Sequence, residues 1–288
     1  MRQINGKTKI VGLFGYPVEH SMSPGMHNAG LVKLNLDYVY VAFNVLPDKL
    51  GEAVKSIRPL NIRGMNVTIP HKENVMRFLD RIDPVAEQIG AVNAIVNNNG
   101  VLTGYNTDGW GFIKSLQNKH INISGKQALL LGAGGAGKAI SINLVKSGIR
   151  KLYIKDIDKS RVRKLVDGIK KVNKKAGIVQ YIDKIDGSII QTTDLLINAT
   201  PVGMKPGDNP VIPAALLGIN KKLVVYDIVY NRETELAKES IKRGLVTLNG
   251  SEMLLYQGVV AFELWTGEKA PVSVMRKALQ KQIKAIEF

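Results

Sequence analysis

The chain of 288 residues contains no cysteine, so neither a disulfide framework nor thiolate catalysis is open to it. Histidine is scarce, with 4 residues, and they form no metal-ligand cluster. No apolar run approaches the roughly 20 residues that a membrane span needs. The opening "MRQINGKTKIVGLFG" reads as the approach to a first strand rather than as a leader, and the expected location is the cytoplasm. Acidic residues are outnumbered, 24 against 40 basic ones, for a net charge of +16. That charge favours anionic partners. Aromatic residues make up only 6% of the chain, and few lie among the lysines of "KSRVRKLVDGIKKVNKK" (159–175). A base-stacking platform is therefore not indicated, and nucleic acid is not the expected partner. A homodimer is left open.

What is present is an alternation of strand and helix along the whole chain, the signature of an α/β protein with mainly parallel strands. Ile10–Phe14, Tyr38–Asn44 and Gly64–Ile69 read as strands. A helix is expected within 21–34, with Ser23 as N-cap and Pro24 at its first position. Helices are expected over 72–79 and 84–89, followed by a hairpin over 94–106 turning at Asn98-Asn99-Gly100. A new register opens near Gly125: strand, glycine turn and helix over 126–148, then a strand over 151–158. Further strands are expected at Leu195–Asn198, Leu223–Asp227 and Leu245–Leu248, and two closing helices part near Gly267. This gives a nucleotide domain over 110–251, inserted between the parts of another domain, 1–109 and 252–288.

Gly132-Ala133-Gly134-Gly135-Ala136-Gly137 satisfies G-x-G-x-x-G in the context that gives the pattern meaning, after an apolar strand and opening a helix. Gly132 permits the tight turn, Gly134 the approach of a pyrophosphate, and Gly137 close helix–strand packing. Asp156 follows Gly132 by 24 residues, where a carboxylate can hold ribose hydroxyls and repel a 2′-phosphate. That argues for NAD. Lys155, Lys159 and Arg161 flank the position and could pair with a phosphate instead, which keeps NADP open, and Asp156 could simply cap the next helix.

Four stretches of the first domain put polar side chains at element ends. "NVTIPHKE" (66–73) carries Lys72 just past a strand. "HSMSPGMHN" (20–28) carries Ser21 and Ser23, two hydroxyls at a helix start that suit a carboxylate. "GAVNAI" (90–95) carries Asn93, and "GYNTDGWGF" (104–112) carries Asp108. Each alone reads equally well as a cap or turn residue. Together they outline a site for a hydroxylated carboxylate. Removing a hydride from an alcohol needs a group that takes the hydroxyl proton, and Lys72 with Asp108 is the natural pair.

Seven stretches in order, "GYPVEHSMSPGMHN", "NVTIPHKE", "GAVNAIV", "GYNTDGWGF", "GAGGAGKA", "NATPVGM" and "LLYQGVVAF", resemble the shikimate dehydrogenases and their quinate/shikimate relatives. The resemblance spans nearly the whole chain. It implies two α/β domains: an N-terminal substrate domain completed by C-terminal helices, and a Rossmann nucleotide-binding domain, with hydride passing across the cleft between them. It implies that Ser21 and Ser23 bind the substrate carboxylate, that Lys72 and Asp108 are the catalytic pair with Lys72 carrying the proton, and that Thr68, Asn93 and Gln257 hold ring hydroxyls. Thr200 and Met204 of the "NATPVGM" stretch would line the nicotinamide side, with Tyr230 beside the substrate there. The implied reaction interconverts shikimate and 3-dehydroshikimate, in aromatic amino-acid biosynthesis. An NAD-dependent catabolic enzyme acting on quinate is the alternative, and a non-catalytic cofactor- or nucleic-acid-binding protein is the alternative from another class.

Two departures stand out. Family members that use NADP typically carry Asn-Arg-Thr where this chain has Asp156-Ile157-Asp158, which looks like the NAD-preferring branch. Ser251 and Glu252 stand where the family usually has Leu-Gly, and the Glu252 carboxylate has no explanation in the sequence.

Overall fold

The computed structural model describes residues 4–172 and 178–286. The chain divides into two compact units, one comprising residues up to Gly111 together with Leu254–Ile286, the other Phe112–Met253.

The first unit is built on a six-stranded sheet with order β2-β1-β3-β5-β6-β4. Its strands are β1 (Lys9–Gly15), β2 (Tyr38–Asn44), β3 (Gly64–Val67), β4 (Arg81–Ile82), β5 (Ala94–Asn98) and β6 (Val101–Tyr105). β1 runs parallel to β2 and β3, whereas β5 is antiparallel to both β3 and β6. The β5–β6 hairpin closes through Asn99 and Gly100, both at positive φ, as a tight two-residue turn demands. Helices α1 (Ser23–Lys33), α2 (Leu50–Ser56) and α3 (Pro84–Ile89) join the strands. Asp83 caps α3 by accepting from the Val85 and Ala86 amides, and Gly90 ends it in the left-handed conformation.

Two local expectations are corrected. Ser23 does not cap α1: it is the first helical residue, Met22 occupies the cap position, and the Ser21 hydroxyl accepts the Ser23 amide at 3.3 Å. The helix expected over 72–79 is a 3₁₀ segment, Asn74–Phe78. The chain has no room for more turns there, because Asp80 already rejoins the sheet by donating to the Leu102 carbonyl.

One side of this sheet is covered by a core that includes Phe14, Leu50, Val54, Met65, Ile95 and Leu102. Elsewhere in the unit, α1 packs with α11 (Val272–Ile286), and α10 (Ser251–Thr266) contributes Phe262 and Trp265. Trp265 donates its indole N–H to the Ile95 carbonyl, which anchors α10 to the sheet. His27 of α1 is fully buried, stacked on Tyr40 with ring centroids 4.4 Å apart and flanked by Phe262 and Trp265. Neither ring nitrogen has a hydrogen-bond partner.

The second unit is a six-stranded parallel sheet, ordered β12-β11-β10-β7-β8-β9. The strands are β7 (Gln127–Leu131), β8 (Lys151–Lys155), β9 (Val179–Tyr181), β10 (Leu195–Asn198), β11 (Val224–Asp227) and β12 (Val246–Asn249). α5 (Gly135–Lys146), α6 (Lys159–Val172), α7 (Gly187–Thr192), α8 (Ala214–Leu217) and α9 (Glu235–Lys242) connect them, and α4 (Asp108–Asn118) leads into the unit. The central strands are buried throughout, as in "QALLL" of β7 and "LLIN" of β10. Burial on both faces is what parallel sheets require. The order reverses between β7 and β10, the doubly wound Rossmann arrangement that places a ligand crevice at the carboxyl ends of those strands.

His27 generates a stability prediction. Desolvation pulls its pKa down to about 3 from an ordinary 6.5. The unfolded chain therefore takes up a proton below pH 6.5 that the folded chain refuses, and stability falls as pH drops. The slope is about 1.4 kcal/mol per pH unit well below that point. Denaturant titrations of wild type and His27→Phe at pH 7 and pH 5 are expected to diverge by about 2 kcal/mol, the variant losing less.

Candidate active site

The polar stretches of the first unit meet at one edge of its sheet. Phe14 lies opposite Val67 in the parallel β1–β3 pair, so the segments after Gly15 and after Val67 leave side by side. Ala94 lies opposite Asn66 on β3 and opposite Tyr105 on β6, which brings Asn93 and residues 106–108 to that same edge. Thr68 packs its methyl on Gly15, where an added Cβ would come within 2.5 Å of it.

Lys72 Nζ and Asp108 Oδ2 form an ion pair at 2.6 Å, with side chains 18% and 6% exposed. So little exposure limits screening by water, and the pair interacts more strongly than a surface pair. Asp108 Oδ1 accepts from Asn93 Nδ2 at 2.9 Å. The same amide donates to Thr107 Oγ1 at 3.0 Å, and its oxygen accepts the Thr107 N–H at 2.8 Å. Gln257, from α10, reaches Asn93 and Thr107 only at 3.5 Å and donates to the Leu254 carbonyl. Behind Asn93 stands a second amide. Asn66 Nδ2 donates to the Asn93 carbonyl at 3.1 Å, and the Tyr40 hydroxyl donates to Asn66 Oδ1 at 2.8 Å.

Sequence reasoning selected Lys72, Asn93, Asp108 and Gln257, and these side chains come together. Ser21 and Ser23 lie at the start of α1, and their contact is with each other. Thr107, Asn66 and Tyr40 were missed. Thr107 and Asn66 sit inside quoted motifs as neighbours of selected residues, and this was a signal that could have found them. Tyr40 carries none, since it reads as one more apolar position of β2.

In the second unit Gly132 has φ +102°, and a Cβ on it would come within 2.7 Å of the Ala199 carbonyl oxygen. A Cβ on Gly137 would approach the Gly132 oxygen to 2.1 Å, while nothing lies within 4 Å of the corresponding position on Gly134. The first and last glycines are thus demanded by packing, and the middle one leaves an open approach. It leads to the N-terminus of the 12-residue α5, which has no side-chain cap. Unsatisfied N–H groups beside open space suit a dinucleotide pyrophosphate, running along Gly135 and Ala136.

Asp156 Oδ2 accepts from the Ala133 amide at 2.6 Å, and its Oδ1 accepts from the Asp158 amide at 2.9 Å. Asp156 therefore braces the glycine turn, and the capping of α6 falls to Asp158, which accepts from the Ser160 and Arg161 amides. The Ser160 hydroxyl and those amides hold the Asp158 carboxyl below its usual range. The flanking cations are engaged: Lys159 pairs with Asp183 at 2.5 Å, Lys155 donates to the Asp183 carbonyl, and Arg161 Nε lies 3.4 Å from Asp158. Ile157 between the two aspartates is fully exposed.

Thr200 accepts the Val202 amide and donates to Asn198 Oδ1 at 2.6 Å, Met204 is 45% exposed, and burial pushes the Tyr230 phenol up. Glu252 stands in the first turn of α10 and accepts from Asn118 Nδ2 at 3.3 Å. A carboxylate there meets the positive end of the helix, a local reason for a residue the sequence left unexplained. Among the described residues no group of His, Cys, Asp and Glu could hold a metal ion, and no helix is long and apolar enough to cross a membrane.

Two family profiles match the chain, a shikimate dehydrogenase substrate binding domain over residues 13–95 and a shikimate 5′-dehydrogenase C-terminal domain over 250–280. A protein named shikimate dehydrogenase (NADP(+)) from Desulforamulus reducens is 47% identical over 284 residues, covering 98% of each chain. The chain belongs to the shikimate dehydrogenase family. Among solved shikimate dehydrogenases, one in complex with NADP⁺ has a TM-score of 0.90 at 42% identity, covering 98% of both chains. Another, from Listeria monocytogenes in complex with shikimate and NAD, has a TM-score of 0.87 at 37% identity, covering 96% of this chain and 98% of that one. Members of this family thus share the whole two-unit chain, not the glycine turn alone.

The second amide generates a prediction. Tyr40→Phe leaves the buried Asn66 Oδ1 without its donor, and the expected cost in a urea titration is about 1–3 kcal/mol.

Proposed function

We propose that this chain interconverts shikimate and 3-dehydroshikimate with NAD, reducing the ketone for aromatic amino-acid biosynthesis. The observation that carries this reading is the Lys72–Asp108 pair, at 2.6 Å and fixed from behind by Asn93, on the sheet edge where four polar stretches converge. A bound nicotinamide supplies or removes the hydride. In reduction the Lys72 ammonium gives a proton from Nζ to the carbonyl oxygen, and in oxidation the neutral amine takes it back. Asp108 aims Nζ and stabilises the ammonium that forms. Ser21 and Ser23 hold the carboxylate, and Thr68, Asn93 and Gln257 hold ring hydroxyls. Thr200, Met204 and Tyr230 shape the nicotinamide side of the cofactor unit.

NAD is favoured over NADP by charge at the end of β8. A 2′-phosphate would meet the carboxylates of Asp156 and Asp158, while Lys159 and Arg161 are already paired to carboxylates. Asp156 would serve the ribose with the carboxylate that also braces the turn. Exposed Ile157 offers an apolar face to adenine and lacks the guanidinium that pairs with phosphate bidentately. A protein that binds the cofactor without turnover would have no use for a lysine held this way.

Lys72→Ala is expected to lower kcat by about 10²- to 10⁴-fold with little change in the KM for shikimate. Near-normal kcat would remove Lys72 from the chemistry. Initial rates crossing shikimate and quinate with NAD and NADP should give the highest kcat/KM with shikimate and NAD. Ile157→Arg combined with Asp158→Thr should raise the NADP-to-NAD ratio by about tenfold or more. A wild type that turns over NADP faster would overturn the charge argument.

A further inference from the structure

We infer that Asp227, a buried carboxylate at the end of β11, is a positioning residue that locks the two loops of the cofactor unit into one cofactor-binding shape. The inference rests on the nucleotide reading of this unit given above.

Asp227 is 1% exposed, and its oxygens accept three hydrogen bonds from two segments. Oδ1 accepts from Asn198 Nδ2 at 2.9 Å and from the Val229 amide at 3.1 Å. Oδ2 accepts the Thr234 hydroxyl at 2.6 Å. A carboxylate withdrawn from water is costly unless its lone pairs are satisfied, and here the partners are all donors. Each donor also organises its own loop. Asn198 Nδ2 donates to the Val202 carbonyl, and its Oδ1 accepts the Thr200 amide and hydroxyl, which folds the 198–204 turn around one side chain. Thr234 caps α9 by accepting the Ala237 amide, and so fixes the far end of the loop that carries Tyr230.

The two loops also touch. A Cβ on Gly203 would come within 2.7 Å of the Thr234 methyl. The 198–204 turn is in turn the floor of the glycine turn, since the Ala199 carbonyl lies against Gly132 and the Ala199 amide donates to Leu131. A shift of Asn198 would therefore move the surface that holds the phosphate-binding turn in place. Thr200 and Met204 lie on one of the loops Asp227 ties and Tyr230 on the other, yet Asp227 itself is shut away from any ligand.

The test separates geometry from charge. Asp227→Asn keeps an oxygen toward Asn198 and Val229, and its amide can donate to the Thr234 hydroxyl, whereas Asp227→Ala keeps none of these bonds. Dissociation constants for NADH and NADPH, read from nicotinamide fluorescence, should weaken by about tenfold or more in Asp227→Ala and by about threefold at most in Asp227→Asn. The KM for shikimate should stay within about twofold of wild type in both. Thr234→Val, which removes the bond to Asp227 together with the α9 cap and leaves the carboxylate with its Asn198 and Val229 bonds, should give an intermediate loss and serves if Asp227→Ala does not fold. Unchanged cofactor affinity in Asp227→Ala or Thr234→Val would overturn the positioning role. So would an equal loss in the Asn and Ala variants, because charge rather than geometry would then matter. A wild type that binds neither NADH nor NADPH would instead overturn the nucleotide reading itself.

Discussion

A lysine and an aspartate drawn out of water hold each other only if every remaining lone pair and proton near them is accounted for. On the carboxylate side of the Lys72–Asp108 pair that role falls to Asn93, whose single amide group serves Asp108 and Thr107 at once. Asn93 can do so because it immediately precedes β5, between the ends of β3 and β6. Because β5 runs antiparallel to β3, the N-terminal end of β5, not its C-terminal end, lies at the edge where β1 and β3 end. The amides of Asn66 and Asn93 and the Tyr40 hydroxyl then extend the same satisfaction inward, away from solvent.

The second unit meets its own demand differently. Its strands are all parallel, so every carboxyl end and every following loop falls on one side. Two of these loops are also tied to neighbouring strand ends by a carboxylate. Asp156 braces the glycine turn from β8, and Asp227 braces the 198–204 turn from β11. Buried or half-buried carboxylates at strand ends thus do for backbone amides and loop donors what helix capping does for helix ends.

Much of this was legible in the sequence. The glycine turn, the strand before it and the helix after it carry their physics locally, and Lys72, Asn93 and Asp108 stood out as polar residues beside glycine or proline at element ends. The 72–79 segment was not legible as a 3₁₀ turn, because what shortens it is Asp80 rejoining the sheet at Leu102, a partner more than twenty residues away. Asp156 was ambiguous for a related reason. Its neighbours in sequence suggested a helix cap, and only the fold put Ala133 within reach of its carboxylate and left the capping to Asp158.

The sequence by itself determined the α/β class, the two-part organisation and the family, and it picked out Lys72, Asn93, Asp108 and Gln257, whose side chains come together, because periodicity, turn chemistry and collinear motifs are local properties of the chain. The tertiary structure decided which of those residues act together. Tyr40, Asn66, Thr107, Asn198 and Asp227 acquire their places from hydrogen bonds: Tyr40–Asn66, Asn66–Asn93, Thr107–Asn93 and Asn198–Asp227 each join residues between 14 and 29 positions apart. Burial makes each of those bonds consequential, since a polar group with no water nearby must find its partner in the fold.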